Sequence, residues 1–266
     1  MFQEEGTKIL ILLPPWTEFL LIRLERKFAS LEENSKKALV AYLVAGDPDI
    51  STTLELMHQF VLSGVDIIEL GVPFTDPIAE GPIIQAAHDR ALQANTSLDM
   101  IFSLVEEFRS KDSETPVILM GYINTFLANS KALESIHERG TDAVLIVDVP
   151  GESSLEDIGI QNKNIASISL ISPTTDNDRI QKICMSSSGF IYYVTLRGVT
   201  GASNLNEDEI QTNILNIRNS TNLPVLAGFG IKTVSDAQAL SEISDGVVIG
   251  SVLVEMIHQE SENKDY

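Results

Sequence analysis

Residues 67 to 85 read IIELGVPFTDPIAEGPIIQ and place three carboxylates, Glu69, Asp76 and Glu80, in one short stretch of chain. Glu69 belongs to an apolar run with the composition of a buried strand, and the other two follow in a proline-rich loop. Burial in an apolar site disfavours the charged form of a carboxyl and raises its pKa. Such a group suits chemistry that both gives and takes a proton near neutral pH. The stretch therefore predicts an acid–base site built on Glu69.

A buried ion pair is the structural alternative for Glu69. Between Lys27 and Arg90 the chain carries no Lys or Arg except Lys36 and Lys37, which both precede the first predicted strand. Because no local cation is available, we favour proton transfer over a structural role.

Three glycine-bearing loops occupy the last third of the chain, at 197–203, 228–233 and 249–251. Glycine lets backbone N–H groups approach an anion closely, and a helix beginning at Ser251 would direct its unpaired N–H groups to the same point. Each loop alone is a weak signal, since glycine often only ends a strand. Together they predict a phosphate site, and hence a small phosphorylated substrate.

The elements that must position these groups alternate along the chain. Eight short apolar runs are separated by segments with helical periodicity, which indicates a parallel sheet covered by helices. We predict an α/β fold, a single-domain (β/α)₈ TIM barrel, in which functional residues lie at the C-terminal ends of the strands. An open, doubly wound sheet is the alternative. The predicted strands are 39–45, 66–71, 116–121, 143–148, 166–171, 190–196, 224–229 and 246–250.

Composition limits the function classes. The net charge of −20 would repel nucleic acid and anionic membranes, so we expect neither as a partner. Cys184 is the only cysteine, which excludes an intramolecular disulfide and favours a reducing, cytoplasmic location. Residues 1–20 are locally apolar but are broken by Pro14-Pro15 and carry acidic residues. We interpret 1–20 as an N-terminal extension of unknown role and 21–266 as the catalytic barrel.

The sequence closely resembles the tryptophan synthase alpha chain family. Residues 69–85, ELGVPFTDPIAEGPIIQ, are similar to the family signature E-L-G-x-P-[FY]-[ST]-D-P-x-A-D-G-P-x-I-Q. The blocks AYLVAGDPD, LMGYIN, DVP, GVTGA, GFGI and IGS follow the family's order, and the resemblance runs from about Leu24 to the C-terminal end. It implies a lyase of tryptophan biosynthesis that cleaves indole-3-glycerol phosphate to indole and D-glyceraldehyde 3-phosphate. No cofactor is implied in this chain and no metal.

The resemblance also implies roles for individual residues. Glu69 would be the acid and base, and Glu80 would accept a hydrogen bond from the indole N–H. Thr200 would help to close its loop over Glu69. The implied partner is a beta chain that carries pyridoxal phosphate, in an alpha2-beta2 heterotetramer. The implied indole contacts are Tyr42, Tyr122 and Tyr192, and the implied phosphate contacts are Gly201, Gly230, Gly250 and Ser251.

One departure from the family pattern bears directly on activity. Glu80 stands where the family usually has Asp, and it carries its charge one methylene further out. This exchange leaves open a weakly active or inactive subunit that mainly binds and activates the beta chain. A different phosphate-binding barrel, such as an isomerase, is the third hypothesis. Schiff-base chemistry fits poorly because Lys232 lies at a polar helix start, and the four histidines are dispersed and expected on the surface or in packing.

Overall fold

Eight parallel strands form a closed barrel in chain order, with the first strand paired to the last. The computed structural model describes residues 23–128, 133, 136–161, 164–195, 207–228 and 230–262. The predicted fold and all eight predicted strands are confirmed, and the N-terminal extension lies outside the described residues. The strands are β1 (Ala38–Val44), β2 (Ile67–Gly71), β3 (Val117–Gly121), β4 (Ala143–Ile146), β5 (Ala166–Ile171), β6 (Ile191–Val194), β7 (Val225–Gly228) and β8 (Gly246–Ile249).

Helices cover the outside of the barrel because their apolar residues recur at helical spacing. Asp49 and Ser97 each cap the N-terminus of the helix that follows, by accepting hydrogen bonds from Thr52 N–H and Met100 N–H. None of the helices described between residues 23 and 262 has the length and apolarity needed to cross a bilayer. The described helices are α1 (Arg23–Glu33), α2 (Ile50–Leu62), α3 (Pro82–Gln93), α4 (Leu98–Arg109), α5 (Ile123–Leu127), α6 (Asn177–Ser186), α7 (Glu207–Arg218), α8 (Val234–Ile243) and α9 (Ser251–Glu262).

The alternation of side chains along each strand determines which residues face the barrel interior. Val40 and Ile67 belong to the interior core. Tyr42 and Glu69 each lie two residues further along and therefore face the same way. They are also direct partners in the β1–β2 register. The strand pattern thus places the carboxyl of Glu69 beside the ring of Tyr42, above the apolar interior.

The opposite end of the barrel is closed by α1 and an ionic cluster around Asp142. Asp142 is buried and accepts hydrogen bonds from the guanidinium groups of Arg23 and Arg109 and from Val117 N–H, the last at 2.8 Å. Burial raises the pKa of Asp142 despite both cations, and burial also lowers the pKa of Arg109 to about 10. The cluster therefore connects α1, α4 and the start of β4 through groups that have lost most of their hydration.

Candidate active site

A cavity of about 260 Å³ lies at the C-terminal ends of the strands. Its wall combines two carboxylates, two tyrosines and a glycine-rich end, and the rest is mainly apolar. Most of the residues that the sequence predicts for the site meet in this cavity. Its lining residues are Tyr42, Glu69, Glu80, Gly81, Pro82, Ile83, Ile84, Met120, Tyr192, Gly230, Ile231, Val248, Gly250 and Ser251.

Glu69 is the most perturbed acid of the cavity. Only 2% of the residue is exposed, and its Oε1 has no hydrogen-bond partner among the described residues. Burial, followed by the nearby charge of Glu80, raises the pKa of Glu69 from its ordinary 4.5 to about 8. The carboxyl is therefore mostly protonated at neutral pH but close enough to titration to release its proton.

Glu80 is held in the cavity by Tyr122. The Tyr122 hydroxyl donates a hydrogen bond to Glu80 Oε2 and accepts one from Ala79 N–H at 3.0 Å. Burial raises the pKa of Glu80, whereas the bond from Tyr122 acts in the opposite direction. Tyr122 itself lies behind Glu80 and outside the cavity wall. Among the described residues, Tyr122 therefore contacts the cavity wall through the carboxylate of Glu80.

Tyr42 and Tyr192 form the aromatic part of the wall. Both are buried. Burial is the main cause that raises the pKa of each hydroxyl well above its ordinary value, and the charge of Glu69 contributes to both shifts. Each hydroxyl occupies the space beside a glycine of the neighbouring strand. A Cβ at Gly71 would lie 2.2 Å from the Tyr42 hydroxyl, and one at Gly228 would lie 2.6 Å from the Tyr192 hydroxyl. These two glycines make room for both rings in the barrel mouth.

The glycine-rich end of the cavity lies at the start of α9. Gly250 accepts the first helical hydrogen bond, from Val254 N–H at 3.1 Å, and Ser251 begins the helix. The N–H groups of the first turn have no partner within the helix and can serve an anion. Gly230 lines the same end with a φ of +76°, a conformation that favours glycine. Thr200 and Gly201 lie outside the described residues.

A second cavity, of about 290 Å³, lies beside β4 and β5. Its lining includes one charged residue, Arg179, which pairs with Glu152 at 2.8 Å. It therefore offers no pair of titratable acids for proton transfer. Among the described residues no group of three or more His, Cys, Asp or Glu is placed to hold a metal ion.

Comparison with known protein families identifies the family of this chain. The family model described as "Tryptophan synthase alpha chain" matches residues 28–266. The chain belongs to the tryptophan synthase alpha chain family. The match covers every strand of the barrel and every described residue of the cavity wall, so the family assignment and the candidate site rest on the same part of the molecule.

Individual family members are similar over most of their length. The tryptophan synthase alpha chain of Marinobacter nauticus is 42% identical over 246 residues, which is 91% of each chain. That of Nitrosococcus oceani is 45% identical over 240 residues, or 89% of each chain. Among solved structures, subunit alpha from Legionella pneumophila superposes with a TM-score of 0.84 at 38% identity, covering 92% of both chains.

Two residues outside the predicted site connect its parts. His88 on α3 is 1% exposed, and its ring contacts the Phe74 amide and the Tyr42 hydroxyl. Phe74 stacks on Tyr122 with ring centroids 4.8 Å apart. The expectation of a packing role for His88 agrees with its burial, but the sequence did not predict its contacts with the site. Ala87 and Ala91, small residues on the same helical face, are the sequence signal that this face packs closely.

Proposed function

We propose that Glu69 transfers the protons in the cleavage of indole-3-glycerol phosphate, the alpha reaction of the family. Protonation of indole C3 turns the ring into an electron acceptor. Loss of the proton from the hydroxyl next to the ring then forms the aldehyde of glyceraldehyde 3-phosphate. The carbon–carbon bond breaks and its electrons return to the ring, which leaves as indole. One proton moves from oxygen to carbon, so a single acid–base group balances the reaction.

The observation that carries this proposal is the buried carboxyl of Glu69, whose Oε1 has no hydrogen-bond partner among the described residues. With a pKa of about 8, Glu69 is mostly protonated at neutral pH and has a proton to give to C3. The resulting carboxylate is the base that accepts the hydroxyl proton. Because Oε1 has no partner in the described residues, an incoming substrate does not have to displace a contact with any of them.

Glu80 would stabilise the positive charge that develops on the indole ring. Its carboxylate would accept a hydrogen bond from the indole N–H, and an ionised acceptor in a desolvated cavity stabilises such charge more strongly than it would in water. The hydrogen bond from Tyr122 favours the ionised form of Glu80 and fixes its direction. The two carboxyls of the cavity therefore have different tasks, one as proton carrier and one as fixed charge.

The phosphate would bind at the start of α9, to backbone N–H groups near Gly230 and Gly250 and to the Ser251 hydroxyl. Gly201 would complete this end from its own loop, and Thr200 would help to close that loop over Glu69. This local arrangement would hold a dianion against the unfavourable net charge of −20. Tyr42 and Tyr192 would enclose the indole.

The proposed partner is a beta chain that carries pyridoxal phosphate and consumes indole in the cytoplasm. A solved structure of the tryptophan synthase alpha2-beta2 complex from Pyrococcus furiosus contains a chain that superposes on this one with a TM-score of 0.75 at 35% identity. Support for the partner comes from this likeness.

Indole release from indole-3-glycerol phosphate tests the proposal. The purified chain should release indole on its own, and addition of a family beta chain should increase the rate. A second arm follows conversion of serine and indole to tryptophan by the beta chain. Acceleration of that reaction, with no indole release in either condition, would contradict the proposed activity and leave a purely regulatory subunit.

Shortening the second carboxyl should impair the site. We expect Glu80→Asp to lower kcat by about tenfold, because the shorter side chain withdraws the charge by roughly 1.5 Å and loses its bond to Tyr122. The measurement is steady-state indole release, with Tyr122→Phe as the matched variant that removes only the hydroxyl. A higher kcat in Glu80→Asp would mean that the native Glu80 is misplaced.

A further inference from the structure

His88 lies directly behind the cavity wall, between β1 and the loop that carries Glu80. It is on the buried face of α3, and its two ring nitrogens face different parts of the site. Nδ1 lies 3.1 Å from Phe74 N, and Nε2 lies 3.5 Å from the Tyr42 hydroxyl oxygen. The first is an ordinary hydrogen bond and the second is a long one.

The contact with Phe74 determines the tautomer of His88. A backbone N–H can only donate, so Nδ1 must present its lone pair, and the proton of the neutral ring is on Nε2. Burial lowers the pKa of His88 to about 4, although the charges of Asp89 and Asp47 act in the opposite direction. The ring is therefore neutral at physiological pH and directs an N–H group at Tyr42 Oη.

The contact of His88 with Tyr42 links it to the surroundings of Glu69. Tyr42 is the register partner of Glu69, and its hydroxyl fits into the space left by the missing side chain of Gly71. The contact between Tyr42 and His88 thus depends on a glycine in the same strand that carries Glu69.

The contact of His88 with Phe74 links it to Glu80. The ring of Phe74 lies nearly parallel to that of Tyr122, at an interplanar angle of 19°, and Tyr122 donates its hydroxyl hydrogen bond to Glu80. His88 therefore contacts both the wall next to one carboxyl and the backbone of the loop that presents the other.

We infer that His88 is a positioning residue for the alpha reaction, which holds the loop from Val72 to Gly81 against β1 and so fixes Glu80 relative to Glu69. The inference rests on the proposed function, because its consequence is a rate of carbon–carbon cleavage. The proposed role of His88 involves no contact with the substrate or with the reacting atoms. It acts through the Phe74 amide and the Tyr42 hydroxyl.

A matched pair of variants separates this role from simple packing. Asparagine and leucine have nearly the same shape, but only asparagine can place an acceptor oxygen where Nδ1 lies. We expect His88→Leu to lower kcat by about tenfold to thirtyfold with KM changed less than about threefold, since displacement of a reacting group by about 1 Å reduces rates by up to a hundredfold. His88→Asn should recover kcat to within about threefold of wild type.

The tests are steady-state indole release and thermal unfolding followed by circular dichroism. A purely structural role would lower the melting temperature of His88→Leu while the kcat per folded molecule stayed within about twofold of wild type, and this result would overturn the inference. Equal kcat values for His88→Leu and His88→Asn would also overturn it. If His88→Leu cannot be purified, His88→Met replaces it, because its flexible thioether side chain fills the space and is only a weak hydrogen-bond acceptor.

A variant of Tyr42 checks the second contact. The effects of Tyr42→Phe and His88→Leu on kcat should be less than multiplicative in the double variant, because both remove the same contact. Fully multiplicative effects would contradict the connection through Tyr42. If the wild-type chain releases no indole, the proposed function itself fails, whereas wild-type turnover with unaffected His88 variants overturns the positioning role alone.

Discussion

Glu69→Gln should lower kcat for indole release by about a thousandfold, the middle of the range that positioned acid–base groups contribute. Glutamine keeps the size and most of the polarity of the side chain, but it can neither donate a proton to C3 nor accept one from the hydroxyl. KM should change little, because the phosphate and the indole are held by other residues. Quenched indole assays over minutes to hours measure the residual rate.

Thermal unfolding provides the control for Glu69→Gln. The variant should be at least as stable as wild type, because it removes a carboxyl whose ionisation is opposed by burial. Retention of kcat within about tenfold of wild type in this folded variant would show that another group transfers the protons.

Asp142→Ala should destabilise the fold by about 3–5 kcal/mol, the range for removing one member of a buried ionic cluster. The change leaves the guanidinium groups of Arg23 and Arg109 without their carboxylate and removes the acceptor of Val117 N–H. For a chain of this size the melting temperature should fall on the order of 10 °C. Urea unfolding followed by circular dichroism measures the free energy.

Two variants control the Asp142 experiment. Asp142→Asn keeps the volume and one acceptor oxygen, so its effect should be smaller than that of Asp142→Ala. Glu106→Ala removes an exposed pair with Arg139, in which the Glu106 side chain is 48% exposed, and should change stability by less than about 1 kcal/mol. Equal losses in Asp142→Ala and Glu106→Ala would contradict the importance that we assign to burial.

Much of the fold could be predicted from sequence because parallel strands are buried on both faces. Such strands appear as continuous apolar runs, and the helices between them have a different period. A carboxylate inside one of these runs, as Glu69 is, contradicts the surrounding pattern and therefore indicates chemistry. In a closed barrel the C-terminal ends of neighbouring strands lie side by side. The barrel prediction therefore also predicts that the glycines at the ends of neighbouring strands lie close together.

The side-chain contacts within the site could not be predicted in this way. The period of a strand shows which face Tyr42 occupies, but not that its hydroxyl fills the space beside Gly71. The resemblance implies that Tyr122 contacts indole, but it does not show that the Tyr122 hydroxyl donates a hydrogen bond to Glu80. The sequence places His88 either on the surface or in packing, and its two contacts depend on how α3 is oriented over the loop.

The proposed proton transfer depends above all on the ionisation of Glu69 in the folded protein. Carbon-13 NMR of protein labelled at the glutamate side-chain carboxyl carbons follows each group through a pH titration, and the resonance missing in Glu69→Gln identifies residue 69. We predict that this resonance titrates near pH 8, with the carboxyl protonated below that pH and ionised above it. Titration near the ordinary value of 4.5 would leave Glu69 without a proton to give at neutral pH and would contradict its role as the proton carrier.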